Sequence, residues 1–272
     1  MGDTARRLGN VSERSSSGVN SPVSLVGKPP PPSGPGLGGD GPFRPLAREE
    51  LAQPSDVVAR RLLGAYLVRG LDEEALVVRL VEVEAYMGDL DPGSHAYRGP
   101  TPRNQVMFGE AGRAYVYFTY GNHFMLNVVA GHAGRAAAVL LRGAEPVAGI
   151  DAMARLRAGM RRPARAPVRG EGGEASPAYV RWLCAGPARL AAALGVDGRD
   201  YGLDMVGASA LPPPPGRSFR LAAGTPPPPE DVRVGPRIGL SRGADLPWRF
   251  YVAGSPGVSP ARPGPAASRH RR

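Results

Sequence analysis

The chain has 272 residues, with 34 Lys plus Arg against 24 Asp plus Glu, for a formal charge of +10. A single cysteine, Cys184, excludes an internal disulfide framework, and no apolar run reaches the ~18 residues of a membrane-spanning helix. Residues 1–18 lack the apolar core of a secretory signal, so a cytoplasmic address in a reducing compartment is expected.

Residues 1–42 are rich in Ser, Gly and Pro, include the run Pro29–Pro32, and have almost no apolar periodicity to offset chain entropy. They are predicted to form a disordered arm, residues 43–258 one domain, and residues 259–272 a basic disordered tail. The positive charge is not confined to those ends. Residues 43–258 keep 26 bases against 21 acids, a field that favours a polyanionic partner, because arginines neutralise phosphates and release their counterions. All the bases but Lys28 are arginines, a bias that reads as a GC-rich genome.

The first ordered element is predicted to be a helix with Ser55 as N-cap and Val58, Leu62 and Leu63 on one face. A short strand follows over residues 65–70. Residues 76–86 (LVVRLVEVEAY) read as a strand on which Leu76, Val78, Leu80, Glu82, Glu84 and Tyr86 share one face by the two-residue period. A hairpin is predicted from AYVYFTY through Gly121-Asn122 to HFMLNVV, with glycine opening a two-residue turn. Then come a strand over 136–146 and a helix with Pro146 in its first turn and Val147, Ile150, Met153 and Leu156 for the core. A second helix runs between Gly186-Pro187 and Gly195, and a last strand covers WRFYVAG. Residues 159–177, 212–216 and 225–230 read as loops. Strands in hairpins with helices set apart predict an α+β domain, a curved and largely antiparallel sheet with surrounding helices.

Two features carry chemistry. Glu82 and Glu84 point the same way beside Tyr86, where a buried strand face would ordinarily be apolar, so either that face turns to solvent or a carboxylate sits in a cleft. Aromatics are also concentrated: Tyr115, Tyr117, Phe118 and Tyr120 fall within six positions, and His95, Tyr97 and Arg98 lie in a Gly/Pro loop. Tyrosines on a sheet are usually packing groups. On a basic surface they also stack nucleobases, and Tyr120 at a hairpin tip can protrude as a wedge.

The segments VEVEAYMG, SHAYRGPTPRN, YVYFTYGNHFMLNV, VLLRGAEP, LCAGPARLAAALG, RIGLS and RFYVAGSP, in this order and spacing, resemble the alkyladenine (3-methyladenine, methylpurine) DNA glycosylases over residues 43–259. The resemblance implies a domain whose β-hairpin inserts into DNA. It implies Glu84 as the general base activating water, Arg142 as its partner, and the backbone around Ile238 as part of the water cage. Tyr86 and His95 would stand on one side of a flipped purine and Tyr117 on the other, with the His95 amide reading the base edge. Asn127 would crowd the 2-amino group of guanine, and Tyr120 would fill the gap in the duplex. Arg103, Asn104 and Met107 would belong to a DNA-facing loop in a supporting role. Glu82 is kept as structural. Gly257 departs from the pattern, since a bulkier residue often follows GSP there, and the Pro-rich insertions have no family counterpart.

On this resemblance the expected activity is hydrolysis of the N-glycosyl bond of alkylated purines in double-stranded DNA by a monomer, without cofactor or metal. The only Lys is Lys28, so no domain amine is available for a Schiff base, and an abasic site is the expected product. His123 and His132 lack a metal-binding pattern. Two rivals remain: a non-catalytic nucleic-acid-binding module with an aromatic stacking surface, and a sugar glycosidase using Glu82 and Glu84 together. Against the latter, both carboxylates lie on one strand, not across a cleft.

Overall fold

The computed structural model describes residues 44–119, 121–159, 165–169, 175–206 and 216–260. The expected arm over 1–42, the tail beyond 260 and Tyr120 lie outside them. The helices are α1 (Arg48–Leu51), α2 (Ser55–Leu62), α3 (Ile150–Ala158), α4 (Pro177–Cys184) and α5 (Pro187–Ala193). The strands are β1 (Tyr66–Leu71), β2 (Glu74–Tyr86), β3 (Ala114–Thr119), β4 (His123–Val129), β5 (Ala138–Ala148), β6 (Ser218–Ala222), β7 (Val232–Gly235) and β8 (Arg249–Val252). All eight join one open antiparallel sheet in the order β3-β4-β5-β2-β1-β6, with β8 beside the C-terminal part of β2 and β7 beyond β8. This is the expected α+β class. No described helix is long and apolar enough to cross a membrane.

β2 organises the domain because it is long enough to serve two sets of neighbours. Its first half pairs with β1, its second half with β8, and β5 runs along its other edge. The main core holds Leu76, Val78 and Leu80 from the first half but Val83 and Ala85 from the second. The six residues predicted to share a face are therefore split. Pairing with β5 slips between Leu80 and Glu82 and again between Glu82 and Val83, and this irregularity switches the face that meets the core. Glu82, Glu84 and Tyr86 are thereby turned away from the main core.

The helices cover the core side. α2 contributes Val58, Ala59 and Leu62, and α5 lays Leu190 and Ala191 against β4 and β5. Pro54, not Ser55, caps α2: its carbonyl accepts the Val58 amide, and the buried Ser55 hydroxyl has no partner. Pro146 stays within β5 instead of opening a helix, because Val147 is skipped in the pairing with β2 and the irregularity absorbs the missing amide. The chain turns into α3 through Gly149, at φ +73°, where a Cβ would lie 2.7 Å from the Ala75 carbonyl oxygen. The hairpin loop has three residues, since Thr119 pairs with His123; Gly121 takes φ +69° and Asn122 donates its amide to Thr119. Sequence periodicity misses α4, part of which falls in the segment read as a loop, and also misses β6 and β7. Cys184 ends α4 and is fully buried.

Candidate active site

Opposite the helices, the sheet presents Glu84 and Tyr86 from β2, Ala138 and Leu140 from β5, Asn127 and Val129 from β4, and Tyr115 and Tyr117 from β3, all set by direct cross-strand pairing. The connection between β2 and β3 folds over this face. Its Ala96 and Met107 pack with Tyr115, Val129 and Ala138 in a small second core.

Glu84 has no exposed surface, and two hydrogen bonds and an ion pair hold it. The Ile238 amide donates to Oε1 at 2.8 Å, Arg142 Nη1 approaches the same oxygen at 3.2 Å, and the Tyr86 hydroxyl donates to Oε2 at 2.9 Å. A carboxylate has about four acceptor positions, so Oε2, which accepts from Tyr86 alone, keeps one for a further donor such as water. Burial pushes the Glu84 carboxyl above its ordinary range, against the pull of Arg142, the Ile238 amide and the Tyr86 hydroxyl. That combination suits a proton acceptor: its donors favour the ionised form, while burial makes it more basic than an exposed carboxylate.

Tyr86 links this carboxylate to a recess. Its ring lines a small hollow of about 50 Å³ together with Ser94, His95, Tyr115, Tyr117 and Asn127. Behind Tyr86 stands Arg237, whose guanidinium lies 4.6 Å from the Tyr86 ring centre and 4.9 Å from that of Trp248. Arg237 is fully buried and paired with Asp91 through both terminal nitrogens. Because Arg237 directly precedes Ile238, one ion pair fixes both the Tyr86 ring and the amide on Glu84.

On the far wall, His95 Nδ1 lies 2.8 Å from the Tyr115 hydroxyl. Burial, reinforced by nearby Arg103, lowers the His95 pKa, so its ring is neutral at pH 7. The Asn127 side chain is buried and donates to the Tyr115 carbonyl at 2.9 Å, which fixes its amide. His95 and Tyr117 do not flank an open slot. Their ring centres are 4.6 Å apart at 81°, an edge contact, whereas an inserted ring needs roughly 7 Å, two van der Waals separations of ~3.5 Å.

Of the residues expected on a DNA-facing loop, only Arg103 is exposed; it donates to the Phe118 carbonyl and lies over the Tyr117 ring. Asn104 is buried and pins the loop by donating to the His95 and Gly99 carbonyls, and Met107 is buried beneath the recess. Sequence reasoning passed over Arg237, Asp91, Arg249 and Ser259. Arg237 and Arg249 each open a segment of the family pattern, RIGLS and RFYVAGSP, whereas Asp91 lies between two such segments. Ser259, assigned to the tail, is in fact buried and bonded to Glu82 through its amide and its hydroxyl. Among the described residues no three His, Cys, Asp or Glu side chains cluster as metal ligands.

The family model described as methylpurine-DNA glycosylase matches residues 49–256. Three similar chains carry the name "Putative 3-methyladenine DNA glycosylase". The one from Streptomyces avermitilis is 47% identical over 80% of this chain and 92% of its own, and the one from Carboxydothermus hydrogenoformans is 42% identical over 79% and 98%. The third, from Leifsonia xyli subsp. xyli, is 45% identical over 81% and 94%. With the match spanning the sheet, both carboxylates and the recess, the chain belongs to the methylpurine-DNA glycosylase family, hydrolases of N-glycosyl bonds.

Proposed function

We propose that the protein flips 3-methyladenine and 7-methylguanine nucleotides out of duplex DNA and hydrolyses their N-glycosyl bonds, leaving an abasic site, with hypoxanthine and ethenoadenine as the neutral members of its range. The observation that carries this reading is the placement of Glu84: ionised by the Ile238 amide and Arg142, with a spare acceptor on Oε2 beside the Tyr86 ring of the recess.

In this reading a water held on Oε2 loses a proton to Glu84 as it attacks C1′ of the flipped nucleotide. The methylated base leaves readily because alkylation already gives it positive charge, and the carboxylate offsets the charge developing on the sugar. The base enters between Tyr86 and Tyr117, separating the His95–Tyr117 contact, and its edge meets the His95 amide. Asn127, its amide fixed by Tyr115, excludes the guanine 2-amino group by size. Aromatic faces stack best on electron-poor or cationic rings, which favours alkylated over ordinary purines. Arg103 and the hairpin loop carrying Tyr120 face the duplex, with Tyr120 as wedge; Asn104 and Met107 shape the loop from beneath. The protein works as a monomer, without cofactor or metal, in the cytoplasm at the nucleoid.

The direct test is incubation of purified protein with duplexes carrying each of the four lesions. Free 3-methyladenine and 7-methylguanine with an intact abasic strand are expected, and no release from either methylated duplex would refute the reading. Binding should weaken steeply with salt; a slope near zero would contradict phosphate contacts. A borohydride-trapped covalent adduct would refute direct hydrolysis.

A further inference from the structure

Arg142 is not held by Glu84 alone. Its Nε donates to Glu82 Oε1 at 3.1 Å, its Nη1 lies 3.2 Å from Glu84 Oε1, and its Nη2 donates to the Ser259 hydroxyl at 3.3 Å. Glu82 is gripped from two further sides. Arg249 Nε donates to Oε1 at 2.6 Å, the Ser259 hydroxyl donates to the same oxygen at 2.8 Å, and the Ser259 amide donates to Oε2 at 2.6 Å.

Ser259 arrives from the segment that follows β8, and two glycines let that segment cross β5. A Cβ on Gly143 would fall 2.2 Å from the Gly257 carbonyl oxygen, and one on Gly257 would fall 2.4 Å from that of Ala144. Backbone against backbone cannot give way, so any side chain at either position would lift the segment and with it Ser259. The departure from the family pattern at Gly257 is thus matched to the crossing.

We propose that Glu82 and Ser259 are positioning residues for the reaction: the C-terminal segment, docked through Gly143 and Gly257, seats Ser259 on Glu82, and Glu82 aims Arg142 at Glu84, so that the guanidinium is shared between two carboxylates instead of serving the base alone. This rests on Glu84 acting as the base in the function proposed above. The charged and titratable groups around the pair are Arg142 from β5, Arg249 from β8, Tyr86 on β2, and the Arg237–Asp91 pair behind Tyr86. Arg142 and Arg249 balance Glu82 and Glu84. Removing the Glu82 charge takes a like charge from beside Glu84 and leaves it the undivided attraction of Arg142, and both changes lower its proton affinity and its strength as a base.

The test uses the full chain labelled with carboxyl-13C glutamate, the Glu84 signal being assigned by its loss in Glu84→Gln. In Glu82→Gln the midpoint of the Glu84 titration is expected to move down by roughly one pH unit, and base release from 3-methyladenine DNA slows as its acid limb moves the same way. An unmoved midpoint would overturn the proposal. Should Glu82→Gln fail to fold, Ser259→Ala provides the reading: release slows roughly threefold with affinity for the lesion duplex unchanged, while Ser259→Thr, which keeps the hydroxyl, restores it. A Ser259→Ala protein as fast as wild type, or one that Ser259→Thr fails to rescue, overturns the proposal as well. The titration is read without turnover, so a wild-type protein that releases no base refutes the proposed function, whereas a Glu84 midpoint indifferent to residue 82 refutes this inference.

Discussion

Glu82 and Glu84 stand two residues apart on β2, share Arg142 and have no exposed surface, yet their oxygens are used differently. Glu82 accepts four hydrogen bonds, from Arg142, from Arg249 and twice from Ser259. Glu84 accepts two, from the Ile238 amide and from the Tyr86 hydroxyl, with the Arg142 guanidinium 3.2 Å from Oε1 as an ion-pair partner. A buried carboxylate that takes four hydrogen bonds from its own protein is a structural joint, whereas one that takes two, one of them from a tyrosine lining a recess, keeps acceptor capacity with which to take a proton from a bound molecule. Both are glutamates on one strand, so the difference comes from what the neighbouring strands and the chain's C-terminal segment bring.

Substitution should separate the two most sharply in activity. Glu84→Gln is expected to lower base release by about 10²–10⁴-fold while leaving lesion-duplex binding intact, measured by single-turnover release beside a binding titration; a non-catalytic nucleic-acid-binding module would show no such loss. The next largest effect is on stability and falls on the other residue. Glu82→Ala leaves Arg142 and Arg249 buried without their common counter-charge and should cost about 3–5 kcal/mol in urea unfolding.

The pH dependence sharpens the contrast further. Because burial raises the Glu84 pKa in the folded state, ionising it opposes folding: its contribution is fully favourable below the ordinary value of 4.5 and is lost as pH rises through the folded value. Glu84→Gln should therefore be more stable than wild type at pH 7, with the gap closing as pH falls through the folded value and closed once it reaches the ordinary 4.5; a constant gap would show that Glu84 is not perturbed. The smallest effect expected is that of Tyr86→Phe, which keeps the ring but removes a donor that favours the ionised carboxylate. The acid limb of base release should move to higher pH by less than about one pH unit, with affinity for the lesion duplex unchanged.

Much of this was legible in the residues themselves. Alternating apolar and β-branched residues predicted β2 and the hairpin strands, and the side chains named from the family resemblance, Glu84, Tyr86, His95, Tyr117, Asn127, Arg142 and Ile238, gather around one carboxylate and one recess. Local patterning failed where pairing is irregular. The strict two-residue period placed Leu80 and Glu82 on one face, and Pro146 read as a helix start, because a slip in strand register is a property of two strands at once and leaves no mark in either alone.

What the sequence determined by itself was therefore the class of fold, the family, and which carboxylate to suspect, since these depend on periodicity and on motifs of a few adjacent residues. Only the tertiary structure decided that Glu82 takes four hydrogen bonds and Glu84 two, that Arg237 backs Tyr86, and that Ser259 belongs to the site. These contacts join residues as far as 177 positions apart, and hydrogen-bond saturation is settled by the geometry of groups that meet only after the sheet has formed.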